Sequence, residues 1–171
     1  MVIISDTSPI INLARIGYLD LVPRLFGTII IPDFVYHEIV VVGKGLPGAK
    51  EIAEADWVQT ATCTNSTLVE KLLLNLDRGE AEAIALAIEL HADNILIDEY
   101  LGRRIAVEYK LRPLGILGIL LKAKSEGVIS EIKPIIDDLR KIARFFIHQK
   151  LYNQVLALAD EWCYETNHEW H

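Results

Sequence analysis

Two aspartates stand directly after short apolar runs, where their side chains could share one ligand site. Asp6 follows the run over 2–5, and Asp98 follows the run over 94–97. In open sheets of parallel strands, ligands bind outside the carboxyl ends of the strands. We therefore expect Asp6 and Asp98 to project from the same edge of one sheet. The alternative is that each aspartate only caps the helix that follows it.

Three glutamates in predicted helices could join these aspartates. Positions two apart on a helix point about 200° apart, so Glu80 and Glu82 cannot both face one site. Glu80 shares the more apolar stripe of its helix, where a carboxylate is costly to bury without a partner, and it is the preferred candidate, with Glu82 in reserve. The alternative is that both acids only favour the positive end of the helix dipole. Glu38 lies in a helix after the second predicted strand, and alone its position indicates an exposed surface acid.

Four acids that converge on one site favour a hard divalent cation. Carboxylates that lie together without a cation repel each other, and each raises the pKa of its neighbours. Oxygen ligands with open water positions suit Mg²⁺ or Mn²⁺, and an ion held in this way can orient water against a phosphodiester. The joint placement therefore predicts a Mg²⁺ or Mn²⁺ site formed by Asp6, Glu38, Glu80 and Asp98.

Strands that alternate with helices must position these acids. Apolar runs predict strands over 2–4, 28–31, 57–60 and 94–97, with a short edge strand over 112–114. Helical patterns fill the intervals between these strands and the chain after the last one. This alternation favours the α/β class, as a three-layer α/β/α sandwich around a central parallel sheet of four or five strands.

Length and composition are typical of one folded domain. The chain has 171 residues, of which 51% are hydrophobic and 24% charged, values that exclude disorder and fit a single domain over 1–171. Residues 149–171 are expected to form a C-terminal helix and tail. No apolar run reaches the roughly 20 residues of a membrane span, and the first residues lack a signal-peptide pattern. We expect a cytoplasmic protein, without a membrane partner, in which Cys63 and Cys163 stay reduced.

Charge is distributed unevenly along the chain. The formal net charge is −7, yet residues 101–150 hold eleven basic and five acidic side chains. A basic segment beside an acidic body can attract phosphate locally, although ordinary solvated helix faces also produce such asymmetry. The cations predicted to contact RNA are Arg103, Arg104, Lys110, Lys122 and Lys124.

Three segments together resemble the PIN-domain family. They are IISDTSP at 3–9, GEAEAIALA at 79–87 and ILIDE at 95–99. Further phrases of the same kind are IGYLDL at 16–21, LGRRIA at 101–106 and LGILLKAK at 117–124. The segments occur in the family's order over about 1–160, and their set is most similar to a small prokaryotic branch described as nucleic-acid-binding proteins. The resemblance implies a parallel sheet between helices.

The resemblance also implies an activity and roles for particular residues. PIN domains are metal-dependent ribonucleases, and their catalytic and metal-binding acids correspond here to Asp6, Glu38, Glu80 and Asp98. Ser8 corresponds to the small hydroxyl residue that supports the first acid. Common toxin members have Thr or Ser just before the last acid, where this chain has Ile97, so Glu99 remains an alternative to Asp98.

Partners and alternatives follow from the same resemblance. It implies an RNA substrate, an antitoxin protein if the chain is the toxin of a toxin–antitoxin pair, and a homodimer formed through helices near the N-terminus. The second hypothesis is a catalytically silent PIN-like module that binds RNA or a protein, and the presence of all four acids favours the enzyme. A phosphotransferase of the haloacid-dehalogenase type would need a second aspartate where this chain has Ser8.

Overall fold

Five parallel strands form the middle layer of the structure, a computed structural model that describes residues 1–161. The strands are β1 (Ile3–Ser5), β2 (Ile29–Pro32), β3 (Val58–Ala61), β4 (Asn94–Leu96) and β5 (Pro113–Leu114). Their order across the sheet is β3-β2-β1-β4-β5, and every neighbouring pair is parallel. The predicted parallel sheet is confirmed, and it has five strands.

Helices flank the sheet on both sides. In the described part of the chain they are α1 (Thr7–Arg15), α2 (Leu21–Phe26), α3 (Asp33–Tyr36), α4 (Ala49–Glu54), α5 (Ser66–Leu72), α6 (Arg78–Glu89), α7 (Tyr100–Glu108), α8 (Ile116–Ser125), α9 (Lys133–Lys141) and α10 (Gln149–Leu158). A π-helical segment, His37–Val42, continues α3 without a break. None of these helices combines the length and apolar character needed to cross a membrane. The end of the predicted C-terminal helix, its tail and Cys163 lie outside the described residues.

Alternating side chains along each strand supply two separate cores. Ile3 and Leu96 belong to the core built with α1, α2, α8, α9 and α10. Ile4 and Ile95, their neighbours in sequence, belong to the core built with α5, α6 and α7 on the opposite face. Successive residues of a strand point to opposite faces, so a sheet covered on both faces needs continuous apolar strands. This arrangement is the predicted three-layer α/β/α sandwich.

The direction of strand addition reverses between β1 and β4. The chain proceeds outward from β1 to β2 and β3, then crosses to β4 and β5 on the other side. Ser5 pairs with Leu96, and the Asp6 amide donates to the Leu96 carbonyl at 2.9 Å. Open α/β sheets bind ligands at such a switch point. Asp6 follows β1 and Asp98 lies two residues after β4, so both stand at the same edge, as predicted.

Candidate active site

Asp6 is a buried carboxylate at the end of the central strand. Only 2% of its surface is exposed. It occupies the N-cap position of α1, but its side chain makes no capping hydrogen bond, so capping alone does not explain an acid here. Burial raises the pKa of Asp6 to about 8, and the charges of Asp77, Glu80 and Glu38 add to this rise. A carboxylate in these surroundings becomes a stable anion when a cation joins it.

Glu38 is brought to this position by the π-helical segment and by Thr7. The Thr7 hydroxyl donates to Glu38 Oε1 at 2.8 Å, which joins the start of α1 to the π-helical segment. The Gly43 amide donates to the Glu38 carbonyl at 2.9 Å, with the five-residue spacing of a π-helix. A Cβ on Gly43 would lie 2.6 Å from the Ile39 carbonyl oxygen, so the turn requires glycine there. Single π-helical turns frequently occur at functional sites.

Glu80 lies in the first turn of α6 and forms a capping box with Asp77. The Asp77 side chain accepts a hydrogen bond from the Glu80 amide at 2.9 Å, and Glu80 Oε2 accepts one from the Asp77 amide at 3.2 Å. The capping box fixes both acids at the positive end of the helix dipole. Burial raises the pKa of Glu80 to about 7, with added repulsion from Asp77, Glu99 and Glu38. Glu80 therefore caps a helix and also joins Asp6, Glu38 and Asp77 in one acidic group, with its Oε1 outside the capping box.

Gly79 leaves open the space in which three carboxylates meet. A Cβ on Gly79 would lie 2.8 Å from Glu38 Oε1, 3.0 Å from Asp6 Oδ1 and 3.5 Å from Asp77 Oδ1. Glycine in a helix costs up to about 1 kcal/mol relative to alanine, and the backbone of Gly79 does not adopt the left-handed conformation that favours glycine. Glycine at this position is therefore explained by the space that the carboxylates of Asp6, Glu38 and Asp77 require.

Two other predicted residues of this edge have different surroundings. Glu82, the reserve acid, forms an ion pair with Arg78 at 3.2 Å. Ser8 makes no hydrogen bond to Asp6 within residues 1–161, and the hydroxyl that contacts the acidic group belongs to Thr7. The structure thus brings Glu80, and not Glu82, to Glu38 and Asp77.

Asp98 stands at the same sheet edge among hydrogen-bond donors. Its Oδ1 accepts a hydrogen bond from the amide of Ile116, the first residue of α8, at 2.7 Å. Its Oδ2 lies 3.5 Å from Asn12 Nδ2, and Arg103 donates to its carbonyl oxygen. Burial raises the pKa of Asp98, while Ile116, Asn12 and Arg103 oppose this rise. The partners of its carboxylate are thus Ile116 and Asn12, and not the acids around Asp6.

Glu99, the alternative to Asp98, interacts electrostatically with Glu80 of the acidic group. It is exposed and occupies the N-cap position of α7 without a capping hydrogen bond from its side chain. Its charge contributes to the raised pKa of Glu80. Of the two adjacent acids, Glu99 is thus the one whose charge acts on Glu80.

The donor chemistry of the acidic group suits Mg²⁺ or Mn²⁺, which prefer oxygen ligands. Within residues 1–161, no three His, Cys, Asp or Glu side chains stand close enough together to hold one ion between them. Mg²⁺ usually keeps several waters and takes one or two carboxylates from the protein. Asp6 Oδ1 and Glu38 Oε1, which both face the space beside Gly79, fit that requirement.

The cations predicted to contact RNA are divided between the two faces of the sheet. Arg103 and Arg104 lie in α7, Lys110 follows that helix, and Lys122 and Lys124 lie in α8. Helix α7 packs on one face of the sheet and α8 on the other, so the five do not form one surface. The Lys124 ammonium forms an ion pair with Glu161 at 2.7 Å, whereas Arg103 lies beside Asp98.

The chain matches the model of a known protein family. Residues 2–161, the greater part of the chain, match the family described as PIN domain. The search of curated proteins found no match. The family found by comparison is the one that the motifs around Asp6, Glu80 and Asp98 resemble.

Proposed function

Because the chain belongs to the PIN-domain family, we propose that it is a Mg²⁺- or Mn²⁺-dependent endoribonuclease. PIN domains are generally nucleases. The observation that carries the proposal is the burial of Asp6 among Asp77, Glu80 and Glu38, which raises its pKa to about 8. Acids that repel each other in a buried group are a cost to folding, and a divalent cation relieves that cost.

Asp6 and Glu38 are the proposed ligands of the ion. Asp6 Oδ1 and Glu38 Oε1 face the same space beside Gly79, and Thr7 holds Glu38 in place through its hydrogen bond. Asp98, predicted as a further ligand, stays outside this pair, because its carboxylate accepts a hydrogen bond from the Ile116 amide and lies near Asn12. When bound, the ion would supply charge stabilisation at the phosphodiester and a more acidic water.

Glu80 is the proposed acceptor of the water proton. Its Oε2 is held in the capping box, which leaves Oε1 for this task. Its pKa of about 7 lies close to neutral pH, the range in which a general base works best. Hydrolysis forms a bond from the water oxygen to phosphorus and breaks the bond from phosphorus to the leaving ribose oxygen. The water proton passes to Glu80, and the leaving ribose oxygen takes up a proton from solvent water.

The test is cleavage of a structured RNA by the full chain in Mn²⁺ and in EDTA. We expect products in Mn²⁺ and none in EDTA. Asp6→Asn should lower the rate at least about 100-fold, since loss of groups that merely support metal ligands already costs 10- to 100-fold. Glu80→Gln should also lower the rate, whereas Glu82→Gln should retain it because Glu82 pairs with Arg78. Cleavage by Asp6→Asn at the wild-type rate would contradict the proposal.

The engagement of Asp98 favours a second candidate, a module that binds RNA without cleaving it. Its carboxylate is held by the Ile116 amide and faces Asn12, rather than joining Asp6 and Glu38. A silent module would retain RNA in EDTA and release no products in Mn²⁺. The same assay therefore separates the two candidates.

On the basis of the family resemblance, we also propose that the chain is the toxin of a toxin–antitoxin pair and that it forms a homodimer. Expression of the wild-type chain would then arrest bacterial growth, and coexpression of a small antitoxin encoded beside it would relieve the arrest. Asp6→Asn should permit growth without the antitoxin. Light scattering at several concentrations tests the homodimer.

A further inference from the structure

Cations are concentrated, without any acid, near the described C-terminal end. Residues 139–159 contain Arg140, Lys141, Arg144 and Lys150 and no Asp or Glu, in a chain whose formal net charge is −7. This stretch spans the end of α9, the connection to α10 and most of α10. Its local charge is thus opposite in sign to that of the whole chain.

The connection between α9 and α10 places alternate residues inside and outside. Ala143 and Ile147 are buried in the core. Arg144, Phe146 and His148 are exposed, and Phe146 exposes 85% of its surface. The exposed ring therefore lies in a short row with a guanidinium and an imidazole.

Contacts beneath this row hold its backbone in place. The Arg140 guanidinium lies 3.9 Å from the centre of the Tyr152 ring and donates to the Ile147 carbonyl at 3.1 Å. Arg144 has a φ of 52°, in the left-handed region that residues other than glycine adopt rarely and keep where their surroundings fix them. Phe146 is thus presented to solvent from a fixed backbone.

The exposed cations around Phe146 are available to an anionic partner. Within residues 1–161, Lys141, Arg144 and Lys150 take part in no ion pair. Asp137, four residues before Lys141 on α9, is paired with Lys133 at 3.1 Å. No acid of the described chain forms an ion pair with Arg144 or Lys150, whereas the charge of Lys141 also acts on Asp137.

We propose that residues 141–150 are a docking site for single-stranded nucleic acid, with a base stacked on Phe146 and phosphates bound by Lys141, Arg144 and Lys150. The choice of occupant rests on the proposed nuclease function and on charge complementarity. Cations that follow a phosphate backbone, combined with an aromatic ring that stacks on a base, are the means by which proteins bind single strands without sequence preference. The site lies on helices other than those that carry the acids, so it binds substrate without taking part in cleavage.

Binding of labelled oligouridine to the full chain in EDTA tests the site, because EDTA prevents metal-dependent cleavage. Phe146→Ala should weaken binding about tenfold. Arg144→Gln with Lys150→Gln should reduce the slope of log affinity against log salt by about 0.7 for each cation. The matched controls, Leu74→Ala and Lys71→Gln, replace an exposed leucine and an exposed lysine on the opposite face of the sheet and should leave binding unchanged.

An abasic oligomer of the same length separates stacking from charge. The wild-type chain should bind it about tenfold more weakly than oligouridine, and Phe146→Ala should bind both oligomers equally. The inference is overturned if Phe146→Ala binds oligouridine as the wild type does. It is also overturned if polyglutamate displaces the oligomer as well as RNA does, since the partner would then be an acidic protein.

Failure of this inference is distinguishable from failure of the proposed function. Asp6→Asn should bind oligouridine like the wild type and yet fail to cleave RNA. A wild-type chain that binds through Phe146 without cleaving anything would contradict the nuclease and leave the docking site standing. A chain that cleaves RNA while Phe146→Ala leaves oligouridine binding unchanged would contradict the docking site alone.

Discussion

Asp6 and Asp98 end two neighbouring strands of one sheet, but the two ends are built from different partners. At the end of β1, the side chains that surround Asp6 are acids carried by α6 and the π-helical segment. At the end of β4, the groups around Asp98 are donors: the Ile116 amide of α8, Asn12 of α1 and Arg103 of α7.

This difference separates two uses of a carboxylate at a strand end. Asp98 connects α8 to the sheet, because its Oδ1 accepts a hydrogen bond from the Ile116 amide at the start of that helix. Asp6 makes no capping hydrogen bond and faces repulsion, which is why we propose that a cation joins it. The same residue type after the same kind of strand thus stabilises the fold at one end and belongs to the proposed ion site at the other.

The largest expected effect is an opposite change in stability at the two ends. In EDTA at pH 7, Asp6→Asn should raise the free energy of unfolding, since folding then no longer has to bury a carboxyl that is ionised in the unfolded chain. Asp98→Ala should lower it by about 1–3 kcal/mol, because the Ile116 amide loses its acceptor. Urea unfolding of both variants measures the two changes. A loss of stability in Asp6→Asn as large as that in Asp98→Ala would remove the distinction between the ends.

The pH dependence of stability sharpens the same distinction. Asp6 and Glu80 have pKa values of about 8 and about 7 in the folded protein, against ordinary values of 3.8 and 4.5. At pH values between the ordinary pKa and the folded pKa of each group, the folded chain binds more protons than the unfolded chain. The free energy of unfolding in EDTA should therefore fall as pH rises from about 4 to about 8, by at most about 1.4 kcal/mol per pH unit for each group.

Urea unfolding at several pH values checks this slope. Saturating Mn²⁺ should reduce it, because the ion binds the deprotonated carboxylates. Asp6→Asn should also flatten it, whereas Glu82→Gln, which alters an ion-paired acid outside the group, should not. A slope that is the same in the wild type and in Asp6→Asn would assign the pH dependence to other residues.

The smallest expected effect is on Mn²⁺ binding, when alanine replaces a helical glycine. We compare Gly79 of α6, beside Asp6, with Gly118 of α8, the helix that contacts Asp98. A methyl group on Gly79 would enter the space between Glu38 Oε1 and Asp6 Oδ1, whereas one on Gly118, in α8, would meet only the flexible end of Leu114. Gly79→Ala should weaken Mn²⁺ binding about tenfold, the lower end of the losses seen when the support of a metal ligand is disturbed. Gly118→Ala should leave it unchanged. Calorimetric titration with Mn²⁺ measures both, and unaltered binding by Gly79→Ala would place the ion elsewhere.

The sheet could be predicted from the sequence because buried parallel strands require unbroken apolar runs. The shared edge of Asp6 and Asp98 followed from the same runs. Their different partners could not be predicted, since Asn12 and Ile116 lie 86 and 18 residues from Asp98 along the chain. Only the packing of α1 and α8 decides which donors reach it.

Asp77 could have been predicted from the sequence, whereas the π-helical turn at Glu38 could not. Asp77 was absent from the prediction, although Asp77 and Glu80 have the spacing of a capping box, which would have identified it. The π-helical turn at Glu38 has no comparable signal, because the apolar positions around it also fit an α-helix. Gly43, which the turn requires, is its only trace in the sequence.

The pairing of β1 with β4 also bears on when the site forms during synthesis. The Val2 amide bonds to Asp93, 91 residues later, and the Asp6 amide bonds to the Leu96 carbonyl. β1, which carries Asp6 at its end, thus leaves the ribosome well before β4, its partner in the sheet. Contacts between distant residues form slowly because a long loop must close first. We therefore expect nascent chains that stop before Leu96 to lack the assembled acidic edge and, with it, the proposed nuclease activity.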